Sequence, residues 1–520
     1  NRYFQTLDCL VCRSAFSVVF EGVKNGQTDE EISQVVVNLC ASLGIESYNV
    51  CSGIVPLNIP IITHIIRTTP AATSRTFCGL VLQTAGDPNT CSIIDPRFEW
   101  QAPATDTKPL KIAVITDAHI DPLYEAFGVA DCGEPTCSTR NSAPAGYWGD
   151  YRNCDSPIWA YDNVIDTIEE SHKDIDVVYY IGDTIDHGVW ETSYELIKDM
   201  NRHFIDKIRT SFGDDVLVIP VIGNHESQPT NQFAPSSVKG KFLNTTWLYD
   251  QLVDKWGFYL DEEAKTNLRD RGEFSMVVRP GLRVITLNNN VAYKYNWWLV
   301  YDPLDAKRHL DWMVSELHKA ELAGEKVHIL AHIPPGVHDL TQTWTREYNR
   351  IVNRFSSTIV AEFNGHTHSD EFKIFYNPSG TPINVAWGAG STTSYTFYNL
   401  NYKIKLIYLQ APENIVNYVY NLTEANLTPN RPPHWFQLYD MKNSFGLADL
   451  SAASMDNLVT RMVTTNKELL DMYAAFYAKL SDSRWPFCYY FVLLVLIQCQ
   501  WLLSKQILAA YLTSLASALL

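Results

Sequence analysis

Five short polar clusters, each directly after an apolar run of strand length, constrain this chain more than any other feature. They are Asp117-Ala-His119, Gly182-Asp183, Gly223-Asn224-His225-Glu226, Ala331-His332 and Gly365-His366-Thr367-His368. The runs before them, 112–116, 177–181, 216–222, 327–330 and 358–363, have the length and apolar character of buried strands. Stretches with helical spacing lie between, at 158–171, 194–208 and 305–323, so the core reads as βαβ units. In open α/β sheets ligands gather beyond the carboxyl ends of the strands. Five loops on one rim can therefore converge.

The residue types point to metal. Carboxylate and amide oxygens mixed with imidazoles suit zinc, iron(II) or manganese, and the lack of a thiolate in these clusters argues against a structural cysteine site. One histidine after an apolar run is usually a packed or surface residue, and Gly182-Asp183 alone is a turn signal. Yet six of the 14 histidines, at 119, 187, 225, 332, 366 and 368, fall in or beside the clusters, and the set outweighs its members. A dinuclear site needs a bridging carboxylate, for which Asp183 is the candidate. Two metals about 3.5–4 Å apart can share it together with a hydroxide that attacks phosphorus in line.

In this order the clusters resemble the calcineurin-like metallophosphoesterase superfamily, whose pattern runs DxH, GDx, GNHE, H and GHxH, over residues 110–400. The resemblance implies a β-sandwich flanked by helices. It assigns a first metal to Asp117, His119, Asp183 and His368, and a second to Asp183, Asn224, His332 and His366. His225 would stand beside the scissile phosphate as proton donor or charge stabiliser. A narrower resemblance, to the acid sphingomyelinase branch, rests on 145–149, 326–336 and 365–372. There the histidine four residues beyond the bridging aspartate joins the catalytic set, which nominates His187 as a second proton donor or phosphate contact; a surface loop histidine is the plain alternative. Tyr395 matches a tyrosine near that branch's substrate pocket.

Six cysteines, at 9, 12, 40, 51, 78 and 91, crowd the apolar N-terminal segment. A zinc module fits poorly, because a second close CxxC is missing and His64 is the one nearby histidine. The spacing resembles the saposin B-type domain, which implies bridges Cys9–Cys91, Cys12–Cys78 and Cys40–Cys51. Phe16, Val19, Phe20 and Val23 recur at helical intervals, as do Ile32, Val35, Val36 and Leu39. Such a small unit needs staples, and periodicity alone fits either an inner face that opens to acyl chains or a closed helical core without a lipid role.

At 520 residues the chain exceeds one ordinary domain. The expected layout is a small all-α saposin-like domain at 1–94, a linker at 95–109 bearing Pro96, Pro103 and Pro109, the catalytic domain at 110–400, a helical C-terminal region at 401–484 and an apolar tail at 485–520. The apolar run 487–503 reaches the lower limit of a membrane span, so the tail reads as either a tether or an altered end. Three sequons, at Asn244, Asn421 and Asn426, and the stapled cysteines fit an oxidising compartment, the lysosomal lumen or the exterior. Because the chain starts at Asn1 without an apolar signal core, either a signal peptide has been removed or the sequence is a fragment. Cys132, Cys137 and Cys154 form a loop of three where the family has a double cysteine, and a second family bridge is missing near Ala292 and His338. The net charge of −17 argues against nucleic acid as partner.

The resemblance as a whole implies a monomer with two Zn2+ that hydrolyses the membrane lipid sphingomyelin to ceramide and phosphocholine, the N-terminal unit presenting lipid from the bilayer. The alternatives are hydrolysis of nucleotides or other soluble phosphodiesters, a lipid-binding protein with a dead catalytic domain, and a phosphomonoesterase.

Overall fold

The computed structural model describes residues 9–44, 48–68, 70, 72–75, 77–78, 108–130, 144–152, 154–189, 192–239 and 243–482. They fall into two compact units, 1–101 and 102–520, a division inside the expected linker. The tail, most of the linker, Cys132, Cys137 and the expected Cys9–Cys91 bridge lie outside the described residues. Among the described residues no helix is long and apolar enough to cross a membrane.

Among the described residues the first unit holds the helices Cys9–Lys24, Asp29–Ser42 and Tyr48–Thr68. The second starts with a capping box: Thr28 accepts from Glu31 N–H while the Glu31 carboxylate accepts from Thr28 N–H, satisfying two helix-end donors at once. Val19, Ile32 and Ile59 form its small core. Disulfides Cys12–Cys78 and Cys40–Cys51 cross-link the unit as expected, which a core of this size needs. One expected core position differs: Val35 is 44% exposed, because the inner face of this helix runs through Ile32 and Ser33 to Val36 and Val37, four residues on.

The second unit holds two six-stranded sheets. In the first, β1 (Leu110–Ile115), β4 (Val177–Tyr180) and β5 (Leu217–Pro220) run parallel, and β12 (Asn401–Tyr408), β13 (Ala411–Val419) and β14 (Phe436–Asp440) extend it antiparallel beyond β1. In the second, β7 (Leu282–Leu287), β8 (Lys326–Ala331), β9 (Ile359–Asn364) and β11 (Pro382–Gly388) are parallel, edged by β6 (Phe274–Arg279) and β10 (Phe372–Tyr376). A short pair, β2 (Ile120–Asp121) and β3 (Ser156–Pro157), stands apart. The parallel strands are largely apolar on both faces, as strands covered on both sides are, with buried polar exceptions such as His328 and Glu362. The sheets meet face to face where the Tyr179 ring packs on Phe363 and its hydroxyl reaches His328 Nδ1 at 3.0 Å. Truncating a fully buried aromatic such as Phe363 would cost about 3–5 kcal/mol.

Helices Ile158–Ser171 and Asp305–Ala323 have the expected bounds. Tyr194–Phe212 runs a turn further than its spacing predicts, to Gly213, whose φ of 72° stops it. The expected break at residue 400 needs correction. Helices Ala452–Thr464 and Lys467–Tyr477 are present, but β12–β14 come first, and β12 pairs with β1 in the middle of the first sheet. A strand whose backbone hydrogen bonds complete the central sheet belongs to that sheet's core.

Candidate metal centre

All five clusters follow the carboxyl ends of parallel strands: β1 and β4 carry Asp117, His119 and Asp183, β5 carries Asn224 and His225, β8 carries His332, and β9 carries His366 and His368. The strands end because the backbone turns sharply there. Asp117, His119, Asp183, His366 and His368 all have positive φ, between 38° and 69°, which costs a non-glycine residue about 1–3 kcal/mol. Close approach explains two of the glycines. A Cβ on Gly365 would lie 2.2 Å from Thr116 Oγ1, and one on Gly223 would lie 2.1 Å from Asp183 Oδ1.

Hydrogen bonds fix the tautomers. His119 Nδ1 donates to Ile185 O at 2.7 Å and His332 Nδ1 to Ile181 O at 2.7 Å, so Nε2 is the atom that each turns into the cluster. His366 does the reverse: Nε2 donates to Asp339 at 3.2 Å and Nδ1 lies 2.9 Å from Asn224 Oδ1. Two ligand sets result. In the first, His119 Nε2 is 3.1 Å from His368 Nε2, 3.5 Å from Asp183 Oδ2 and 3.8 Å from Asp117 Oδ1. In the second, His332 Nε2 is 3.0 Å from Asp183 Oδ2 and 3.1 Å from Asn224 Oδ1. Ligands on zinc at about 2.0–2.2 Å in a tetrahedron stand roughly 3.3–3.6 Å apart, and two imidazole nitrogens 3.1 Å apart need a cation or proton between them. The residues present fit two cations sharing Asp183, the arrangement expected from the motifs.

Electrostatics agree. Burial opposes every charge here, yet hydrogen bonds from His119 and His368 hold Asp117 well below the usual carboxylate range, and electrostatic attraction to His332 and His225, with a hydrogen bond from His332, does the same for Asp183. Against their own burial, Asp117 and Asp183 raise His119 to about 10, and Asp183 raises His332 to about 9. The carboxylates thus hold positive charge at the centre. Glu226 braces it, accepting from the backbone N–H groups of Asp183, Thr184 and Gly223 at 2.5–3.1 Å.

A cavity of about 250 Å³ opens over the centre, lined by Asp183, His187, Asn224, His225, Tyr293, His366 and His368 among others. His225 is buried, lowered to about 4 chiefly by desolvation, and its Nδ1 donates to Asp186 O at 2.9 Å. His187 stacks on Tyr395 with ring centroids 3.8 Å apart. All nine expected catalytic and metal residues therefore meet, with Tyr395 beside them. Of the sequons, Asn421 Nδ2 donates to Asp482 at 3.2 Å and Asn426 Nδ2 to Gly149 O at 3.0 Å, and the Asn426 oxygen accepts from Trp148 N–H.

Four further residues had no role in the sequence reading. Asp155, buried, accepts from His187 Nδ1 at 2.8 Å and from His187 N–H at 2.6 Å. Asp339 holds His366 and pairs with Lys294 at 2.7 Å. Asn289 clamps the backbone of Ile333, next to His332, through Nδ2 at 2.6 Å and Oδ1 at 3.3 Å. Asn290 donates to Ile222 O at 2.8 Å, ahead of the Asn224 loop. The polar triplet 288–290 after the apolar run of β7 is the same kind of signal as the five clusters; the two aspartates carry none.

The calcineurin-like phosphoesterase family matches residues 110–370. Sphingomyelin phosphodiesterase B of Dictyostelium discoideum is 32% identical, covering 94% of this chain and 79% of its own length. Sphingomyelin phosphodiesterase of Homo sapiens is 33% identical over 88% of this chain and 75% of its own. A cyclic GMP-AMP phosphodiesterase of Rattus norvegicus is 28% identical over 71% of this chain and 84% of its own. With a family match spanning half of its length and relatives above 30% identity across most of it, the chain belongs to the sphingomyelin phosphodiesterase family of calcineurin-like phosphoesterases.

Proposed function

We propose that this chain hydrolyses sphingomyelin to ceramide and phosphocholine at a two-zinc centre. The observation that carries the reading is the convergence of Asp117, His119, Asp183, Asn224, His332, His366 and His368 into two ligand sets sharing one carboxylate. Two bound cations supply an activated water and offset the charge of a phosphodiester. Imidazole with carboxylate and amide oxygen suits zinc.

The chain's own residues do the rest. The ceramide alcohol is a poor leaving group and needs a proton as it departs. With the His225 Nδ1–H given to Asp186 O, Nε2 is the atom left to the cavity, and it can serve as donor once a bound phosphate anion offsets the desolvation that lowers it to about 4 and lets it take up a proton. His187, aligned by Asp155, is a second donor or a phosphate contact, and Tyr395 holds its ring in place. The stapled N-terminal unit acts as a saposin-like presenter of lipid, in the lysosomal lumen or outside the cell. The relative acting on cyclic GMP-AMP supports a nucleotide reading less well, since its similarity covers 71% of this chain against 88–94% for the sphingomyelin phosphodiesterases.

The test assays purified protein on sphingomyelin and on soluble nucleotides across pH, with and without zinc. Vesicles left intact while nucleotides turn over refute the substrate. Asp183→Asn is expected to lose bound metal and activity together, and full activity in that variant refutes the shared site.

A further inference from the structure

The segment after β7 leaves the metal cavity and runs outward. Tyr293 lines the cavity, its ring 5.8 Å from that of His366. Tyr295 stands edge-on to Tyr293 at 5.4 Å, and Trp297 edge-on to Tyr295 at 6.4 Å. From there the apolar side chains face water: Tyr295 is 47% exposed, Trp297 66%, Val300 87%, Tyr301 65% and Leu304 60%. Folded proteins scatter such residues singly, and a contiguous patch marks an interaction site.

The segment is held firmly. Buried Asn296, between Tyr295 and Trp297, accepts from Phe233 N–H at 3.2 Å and donates to Phe233 O and Val291 O at 3.1 Å. Gln232 donates to Tyr295 O at 2.8 Å and accepts from Trp297 N–H at 3.1 Å. A fixed ribbon thus keeps large apolar groups in water, at a solvation cost that nothing inside the fold repays.

Charge selects the partner. Lys294 pairs with Asp339, Arg308 with Asp302 and Asp305, and Lys307 with Asp311. These three flanking cations are each answered by a carboxylate, and the chain as a whole carries a formal −17 at pH 7. Such a surface offers no footing to an anionic polymer or an anionic membrane. Tyrosine and tryptophan with polar tips, among neutralised charges, suit the headgroup level of a zwitterionic bilayer.

Resting on the lipid substrate argued above, we propose that the 295–304 ribbon docks the catalytic unit on a zwitterionic phospholipid bilayer, holding the metal cavity over a headgroup. The ribbon begins at the cavity wall, so a molecule bound along it lies beside the metals.

The test uses full-length protein with phosphatidylcholine vesicles, with and without sphingomyelin. Trp297→Ser, Tyr301→Ser and Leu304→Ser combined should reduce co-sedimentation with pure phosphatidylcholine vesicles about tenfold or more. Turnover of vesicle sphingomyelin should fall in step, while turnover of a soluble aryl diester stays at the wild-type level, which also certifies the fold. Trp297→Phe should retain most of the vesicle binding. Unchanged vesicle binding in the triple variant overturns the proposal, as does an equal loss on the soluble diester. A wild-type dimer that the triple variant dissolves assigns the ribbon to a second copy instead. Wild-type protein inert toward sphingomyelin in detergent micelles overturns the substrate reading alone, and sedimentation still decides the ribbon.

Discussion

Asp155→Asn separates proton donation from phosphate binding at His187. Asp155 is 1% exposed and takes the His187 N–H at 2.6 Å, the His187 Nδ1–H at 2.8 Å and the Thr393 hydroxyl at 3.3 Å. Burial pushes the Asp155 carboxyl up and the His187 imidazole down, and both directions favour a net-neutral pair sharing a proton. Asparagine keeps the shape but has one acceptor atom and adds an NH2, so one His187 N–H group must face another donor. The orphaned donor costs about 1–3 kcal/mol, a fall in Tm of roughly 2–10 °C. A positioned general acid contributes about 10²–10⁴ in rate, so kcat on sphingomyelin should fall about 100-fold or more. The assay compares sphingomyelin in detergent micelles with bis(p-nitrophenyl) phosphate at one pH, with metal content measured on the same samples. A nitrophenolate leaves without a proton, so the loss on the aryl diester should be far smaller. Equal losses on the two substrates, in folded and fully metallated protein, refute the proton-donor role of the dyad.

Asn289→Ala removes the clamp on Ile333 beside His332; support of this kind is worth about 10–100-fold in metal affinity. The variant should surrender one metal per chain to a chelator concentration that the wild type withstands, and equal retention by mass spectrometry refutes the clamp. Glu362, buried and bonded by Tyr348 and Asn364, is raised from 4.5 to about 7 chiefly by burial. The folded chain therefore keeps that proton longer than the unfolded one. The resulting stability is whole below pH 4.5 and is lost as pH rises through about 7, at most ~3 kcal/mol. The Tm of the wild type should fall across that window more steeply than the Tm of Glu362→Gln, and parallel curves refute the linkage.

The ligand set was legible in the chain because its residue types, order and position after apolar runs are all local facts. Helices such as Ile158–Ser171 were legible too, since one continuous buried stripe runs through Ala160, Tyr161, Val164, Ile165 and Ile168. Strands β12 and β13 were not. Their buried positions include Lys403, Lys405 and Asn417, which disguise the apolar pattern and make sense only once tertiary partners are present. Asp155 and Asp339 were hidden for a related reason: they lie 32 and 27 residues from the histidines they orient, and no spacing rule links them.

Those disguised strands explain how the strained ligand loops stay in place. Asp370, two residues beyond His368, is buried and accepts from Lys403 Nζ at 2.5 Å, Asn417 Nδ2 at 2.6 Å and the Tyr439 hydroxyl at 2.9 Å, one donor from each of β12, β13 and β14. Lys403 also donates to Gly388 O at the end of β11, 2.6 Å away. A buried carboxylate with three donors is costly to disturb, because losing one leaves charge without a partner. The metal centre draws Asp117, Asp183 and Asn224 from the first sheet and His332, His366 and His368 from the second. Its ligand separations therefore depend on the spacing between the sheets, which the Asp370 knot ties on one side and Asn290, donating to Ile222 O beyond β5, ties on the other. Positive-φ histidines at 366 and 368 persist because both sheets hold their loop. The C-terminal strands thus serve the chemistry as directly as the motifs do.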